Sequence, residues 1–303
     1  MSGAAPIEAR GLVKRYGEIT AVDHVDLTVE PGDVFGYLGP NGAGKTTSLR
    51  MLLGLIRPTD GSARLFGRDP HQDGARALDG VAGFVEGPRF YPYLAARKNL
   101  RLLADLDGGV PAARIDEVLE LVELSDRGKD RVGGYSHGMR QRLGIAASLL
   151  RDPKLMLLDE PATGLDPAGM RDMRELVKRL AGEGITILLS SHILAEVEEL
   201  CNRVAIIRKG RIIYEGRLDE LLQSSGSELR LVASDQQRAR AVLLAHGVES
   251  VEVHGDELRF RAEPADVEAL TVALGKADVG IRSLVPHTAT LEELFLGMTE
   301  QAA

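Results

Sequence analysis

The segment Gly39-Pro40-Asn41-Gly42-Ala43-Gly44-Lys45-Thr46-Thr47 carries the spacing GxxxxGK[ST]. Glycines at that spacing let a loop turn successive backbone N–H groups toward one anion. The lysine reaches the β- and γ-phosphates of a nucleotide, and the threonine hydroxyl suits Mg²⁺. An apolar run, Val34 to Leu38, precedes the loop and a helical run, Thr47 to Leu55, follows it, so the positive end of a helix dipole adds to the attraction. A second signal is Leu155-Met156-Leu157-Leu158-Asp159-Glu160, a buried-strand pattern ending in two carboxylates. Taken alone, such a run is more often a helix start with favourable charges. Beside a phosphate loop, Asp159 is a candidate metal ligand with Thr46, and Glu160 a candidate for polarising an attacking water.

Phosphate loops serve kinases, GTPases, helicases and transport ATPases, so other residues must discriminate. Tyr135-Ser136-His137-Gly138-Met139, followed by Arg140-Gln141-Arg142-Leu143 and ending 20 residues before Asp159, resembles the LSGGQ signature of ATP-binding cassette (ABC) ATPases. Tyr135, His137 and Met139 replace the usual Leu, Gly and Gln, while the serine and the second glycine remain. On its own chemistry Ser136 is a good helix cap.

The resemblance covers residues 5 to 222 and implies further roles. Ser136 and Gly138 would cap the γ-phosphate of ATP held by the opposite subunit. Asp166, in Gly164-Leu165-Asp166, falls at the family's D-loop, and His192, in Ser190-Ser191-His192, at its switch histidine. Tyr16, in Arg15-Tyr16-Gly17, falls where an aromatic ring stacks on adenine. Glu86, in Phe84-Val85-Glu86-Gly87-Pro88, replaces a glutamine that contacts Mg²⁺ and the attacking water. The implied sets are Lys45, Glu160 and His192 for catalysis, and Thr46, Glu86 and Asp159 for the metal. Tyr16, the loop from Gly39 to Thr47, Glu86, Ser136, Gly138 and Asp166 would hold nucleotide. ATP and Mg²⁺ are the implied cofactors. The implied partners are a second copy of the chain and a separate transmembrane permease of ABC-2 type. Glu86 and a tail such as Leu291-Glu292-Glu293-Leu294-Phe295-Leu296 are similar to drug and antibiotic exporter ATPases, so the resemblance implies the ATP-hydrolysing motor of an exporter of drugs, antibiotics or lipids.

These residues need a scaffold. Val34 to Leu38, Val81 to Val85, Leu155 to Leu158, Ile185 to Leu189 and Val204 to Ile207 are too continuously apolar to have one wet face, which predicts a buried, largely parallel sheet covered by helices. Val22 to Val29 alternates more loosely and precedes the turn Pro31-Gly32-Asp33, predicting an antiparallel accessory sheet. The expected fold is an α/β nucleotide-binding domain over residues 1–223, of the P-loop type, with the helical insertion that the resemblance implies. Ser224-Ser225-Gly226-Ser227 reads as a linker. Residues 228–303 then follow a βαββαβ order with an added helix, as in ferredoxin-like α+β domains. That last helix places Leu291, Leu294, Phe295 and Met298 on one apolar stripe, and the resemblance favours a dimer contact over plain internal packing.

Composition bounds the function. The 303 residues are 44% hydrophobic, enough for a sizeable core, and the net charge of −8 is the wrong sign for broad phosphate neutralisation on nucleic acid. Residues 228–303, with 13 acidic and 7 basic side chains, carry −6 of that total. An ABC-type ATPase acting on nucleic acid or in translation is the competing class, but long coiled-coil insertions, zinc motifs and a second cassette are all missing from the sequence. A non-hydrolysing regulatory binder is disfavoured by the presence of Lys45, Asp159, Glu160 and His192. Cys201 is the single cysteine and continues an apolar helical stripe, so it reads as a structural thiol. No stretch approaches the ~18 apolar residues of a membrane span. Glu8 and Arg10 fall where a signal peptide would be apolar, so the expected location is cytoplasmic, and the resemblance implies a peripheral place on the inner face of the plasma membrane.

Overall fold

The computed structural model describes residues 4–223, 228–262, 264–287 and 290–301. The chain divides into two compact units, Met1–Arg217 and Leu218–Ala303.

The first unit opens with a hairpin, β1 (Ile7–Tyr16) and β2 (Ile19–Val29), followed by β3 (Val34–Leu38) and α1 (Lys45–Leu52). Then come β4 (Asp60–Leu65), β5 (Val81–Phe84) and the insertion helices α2 (Ala96–Leu106) and α3 (Ala112–Leu121). The remainder is α4 (His137–Leu149), β6 (Leu155–Asp159), α5 (Pro167–Gly182), β7 (Thr186–Ser191), α6 (Leu194–Leu200), β8 (Arg203–Arg208) and β9 (Arg211–Arg217). The main sheet has the order β5-β6-β7-β3-β8-β9. All its neighbours are parallel except β9, which pairs antiparallel with β8. Every residue of β3, β6 and β7 is buried, as their continuous apolar runs require. A smaller antiparallel sheet, β2-β1-β4, forms the expected accessory layer.

Among the boundaries that differ from the sequence reading, two show their physical cause. Helix α1 stops short of Leu55, because Gly54 adopts φ 70° and Leu55 N–H returns to the Arg50 carbonyl at 2.8 Å. This left-handed glycine closure ends the helix and leaves Leu55 exposed. Strand β7 runs past Leu189 through Ser190 and Ser191, whose hydroxyls find carboxylate partners and so tolerate burial.

The order places the loops after β3, β5, β6 and β7 along one edge of the sheet, at the carboxyl ends of its parallel strands. Two contacts steady that edge. Asn99 of α2 is buried, accepts from the Tyr91 amide at 2.8 Å and donates to its carbonyl at 3.1 Å, which fixes the stretch following Glu86. Gly144 of α4 admits Pro88 so closely that a Cβ there would lie 2.5 Å from the ring.

The second unit contains α7 (Leu218–Gln223), β10 (Glu228–Ala233), α8 (Gln236–Ala245), β11 (Val251–His254), β12 (Glu257–Arg261), α9 (Pro264–Lys276), β13 (Ile281–His287) and α10 (Leu291–Gln301). Its sheet, ordered β11-β12-β10-β13 and antiparallel throughout, realises the βαββαβ pattern over a core of its own. Leu291 is fully buried, and Leu294, Phe295 and Met298 are half-buried. The proposed linker, residues 224–227, lies outside the described residues.

Candidate active site

The phosphate loop is shaped by what its glycines avoid. A Cβ on Gly39 would lie 2.4 Å from the Ile207 carbonyl, and one on Gly44, at φ 108°, would lie 2.4 Å from the Ala21 carbonyl. Pro40, Asn41 and Gly42 form an exposed lip, while Ala43 is buried beneath it and Thr47 stands half-buried in the first turn of α1. Lys45 is buried, with its Nζ donating to the Gly39 carbonyl at 2.7 Å and lying 3.1 Å from Glu160 Oε1. A cradle that only glycine fits, with a buried cation at its base, suits an anion.

Asp159, at the end of β6, is also buried. Its Oδ1 accepts from Ser190 Oγ at 2.6 Å, and its Oδ2 accepts from Thr46 Oγ1 at 2.9 Å and from the Glu86 amide at 3.3 Å. Thr46 and Asp159 are thus brought together. Glu86 reaches this centre through its backbone, while its carboxylate pairs with Arg50 of α1, a fixed cation that the sequence reading did not consider.

At Glu160 the chain leaves the strand with φ 52°, a conformation costing about 1–2 kcal/mol for a residue with a Cβ. Hydrogen bonds from its amide to Ser190 Oγ at 3.0 Å and to the Ser190 carbonyl at 3.2 Å hold that turn. The carboxylate is gripped from three sides. Oε1 faces Lys45, and Oε2 takes Thr163 Oγ1 and His192 Nδ1, each at 2.7 Å. Burial pushes the Glu160 carboxyl up, but the hydrogen bonds from Thr163 and His192 and the charge of Lys45 outweigh it and leave it below its ordinary value. It is therefore a carboxylate at neutral pH, able to accept a proton or orient water.

Ser136 caps α4, accepting from the Met139 amide at 3.2 Å, and Asp166 caps α5, accepting from the Gly169 amide at 2.8 Å. Ser136, Gly138, Gly164 and Asp166 line one cavity of about 380 Å³. His137 donates from Nε2 to the Thr163 carbonyl at 3.0 Å, tying this cavity to the residue that holds Glu160. Tyr16 stands exposed at the end of β1, with the Lys14 ammonium 5.2 Å from its ring centre.

Comparison with known proteins decides the family. The family described as "ABC transporter" matches residues 22–163. The bacitracin transport ATP-binding protein BcrA of Bacillus licheniformis is 45% identical over 252 residues, 82% of each chain. The daunorubicin/doxorubicin resistance ATP-binding protein DrrA of Streptomyces peucetius is 39% identical over 313 residues, covering 98% of this chain and 93% of its own. The chain belongs to the ABC transporter family. Among solved structures, the ATP-binding subunit of an ABC transporter matches with TM-score 0.64 and 30% identity, over 72% of this chain and 92% of that one.

As an ABC ATPase, the protein binds and hydrolyses ATP. Sequence reasoning for this ABC ATPase missed Thr163, Ser190 and Arg50. Thr163 and Ser190 carry no pattern of their own, though each stands within three residues of one that was singled out. Arg50 could have been found by asking which basic residue of the helix after the phosphate loop faces the loop of Glu86.

Proposed function

We propose that this ABC ATPase is the motor subunit of an exporter of drug- or antibiotic-like compounds. Two copies enclose two ATP molecules with Mg²⁺ and drive a separate transmembrane permease of ABC-2 type from the cytoplasmic face of the plasma membrane. The bacitracin and daunorubicin/doxorubicin relatives support the cargo class. Among the described residues, no helix is long and apolar enough to cross a membrane, in keeping with a separate permease.

The observation that carries the catalytic reading is the three-sided grip on Glu160 by Lys45, Thr163 and His192. Phosphate oxygens entering the loop compete for Lys45, and its departure frees Oε1 to orient a water. The water attacks the γ-phosphorus, the bond to the β-phosphate oxygen breaks, and Glu160 takes the water's proton. His192 keeps the carboxylate aimed from the other oxygen. Thr46 and Asp159 offer hard oxygen donors, a set that fits Mg²⁺, which when bound neutralises phosphate charge. Ser136 and Gly138 serve the ATP of the second copy.

Two measurements test this reading. Inverted vesicles carrying the permease and this subunit should accumulate a fluorescent drug only with ATP, Mg²⁺ and an intact Glu160. Mixing Lys45→Ala with Ser136→Arg chains should restore hydrolysis, because each mixed dimer keeps one intact composite site. A proven mixed dimer no more active than either parent would remove the shared site.

A further inference from the structure

Glu196 is a buried carboxyl that the hydrolytic chemistry above does not use. It lies in the first turn of α6, is 2% exposed, and accepts from Ser191 Oγ at 2.8 Å through Oε2. Its Oε1 is buried without a hydrogen-bond partner. Burial pushes the carboxyl up, the Ser191 hydrogen bond opposes that, and the charge of Glu160 adds to it. Such a group is costly to keep.

Its connections explain its presence. A glutamate in a first helical turn often reaches back to the backbone N–H just ahead of the helix. Here that N–H belongs to Ile193, and it donates instead to Ser191 Oγ at 3.0 Å, the same hydroxyl that Glu196 holds. Ser191 is itself 1% exposed. The relay Glu196–Ser191–Ile193 thus spans His192 and pins the backbone on both sides of it. The His192 side chain is 39% exposed, so packing does little to aim it.

We propose that Glu196 is a positioning residue for hydrolysis: through the Ser191 hydroxyl it holds the turn that points His192 Nδ1 at Glu160. The inference rests on the roles given above to Glu160 and His192.

The test is steady-state and single-turnover ATPase, with nucleotide affinity measured separately, on full-length Glu196→Met, Glu196→Gln and Ser191→Ala. Glu196→Met and Ser191→Ala should each lower kcat by roughly tenfold or more and leave the Kd for ATP within about twofold. Glu196→Gln keeps an acceptor for the Ser191 hydroxyl and should retain most of kcat. In a His192→Ala background, Glu196→Met should lower the residual single-turnover rate by less than about twofold, because the group it positions is gone. A purely structural role would give the same loss in both backgrounds, and that result would overturn the proposal. So would wild-type kcat in folded Ser191→Ala, whose small change is compatible with folding even if Glu196→Met is not. Wild-type turnover in His192→Ala would overturn the histidine's role and this one together, whereas loss in His192→Ala with normal Ser191→Ala overturns this one alone.

Discussion

Lys45 Nζ and Glu160 Oε1 stand 3.1 Å apart, so the cation proposed to bind phosphate and the anion proposed to orient water are paired with each other across the site. Both side chains are largely shielded, at 6% and 21% exposure, which keeps solvent from screening the pair fully. Each group therefore restrains the other until phosphate intervenes.

Removing the charge on one side should separate binding from chemistry. Glu160→Gln is expected to bind ATP as tightly as wild type or a few-fold tighter, since Lys45 is released, while turnover falls by about a hundredfold or more. Lys45→Ala should weaken binding instead. Calorimetric titration beside phosphate-release assays distinguishes the two, and normal turnover in Glu160→Gln would discard the assigned base.

Glu86 and Arg50 give a contrasting pair. With side chains 55% and 32% exposed, their ion pair contributes at most about 1 kcal/mol to stability. Glu86→Gln keeps the amide that reaches Asp159, so basal ATPase should change by less than about threefold. Coupled transport should change more if the Glu86 loop is the element that passes movement to the proposed permease. A hundredfold loss of basal activity in a folded variant would make the carboxylate catalytic.

The two unusual glutamates should pull stability in opposite directions with pH. Glu160 is held below its ordinary value, so its contribution is present above pH ~4.3 and is lost as pH falls through the lowered value. Glu196 is held above its ordinary value, so its contribution is full below pH ~4.3 and is lost as pH rises through the raised value. Relative to wild type, the melting temperature of Glu160→Gln should therefore recover on acidification. That of Glu196→Gln should gain as pH rises from 4 toward 7. Parallel thermal melts across this range check both signs.

Gly144→Ala should cost about 1–3 kcal/mol, because its Cβ would meet the Pro88 ring, which cannot swing aside as a flexible chain would. In a unit of this size that is a drop of roughly 3–10 °C in melting temperature. An unchanged melt would show that α4 and the Glu86 loop are less tightly joined than the contact implies.

Ending the chain at Arg217 should leave nucleotide binding intact, since all the phosphate-site residues precede it and the second unit has its own core. We expect weaker self-association in sedimentation without nucleotide. Equal association would remove the second unit from the dimer contact.

Much of this was legible in the residues. The phosphate loop announces itself by glycines that no side chain could replace, and β6 by four apolar residues before Asp159. The βαββαβ order shows in its alternation and in the Gly255-Asp256 turn. The supports were less visible for a physical reason. Ser190 meets Asp159 across 31 positions and Arg50 meets Glu86 across 36, contacts that exist only once the sheet order is known. Ser190 and Ser191 also read as the end of a strand, since burying a hydroxyl looks unfavourable until its carboxylate partner is placed. Glu196 carries no motif that sets it apart from any other favourable charge at a helix start.

Cys201, the chain's single cysteine, closes α6 with its sulfur near Gly36, where a Cβ would approach it to 3.1 Å. Burial pushes its thiol well above the ordinary value, so little thiolate forms at neutral pH. The native chain is therefore close to silent toward maleimides and methanethiosulfonates. A cysteine introduced at an exposed position such as Leu55 would carry a spin label or fluorophore almost alone. Distance measurements between labelled copies are thus open without first rebuilding the protein's interior.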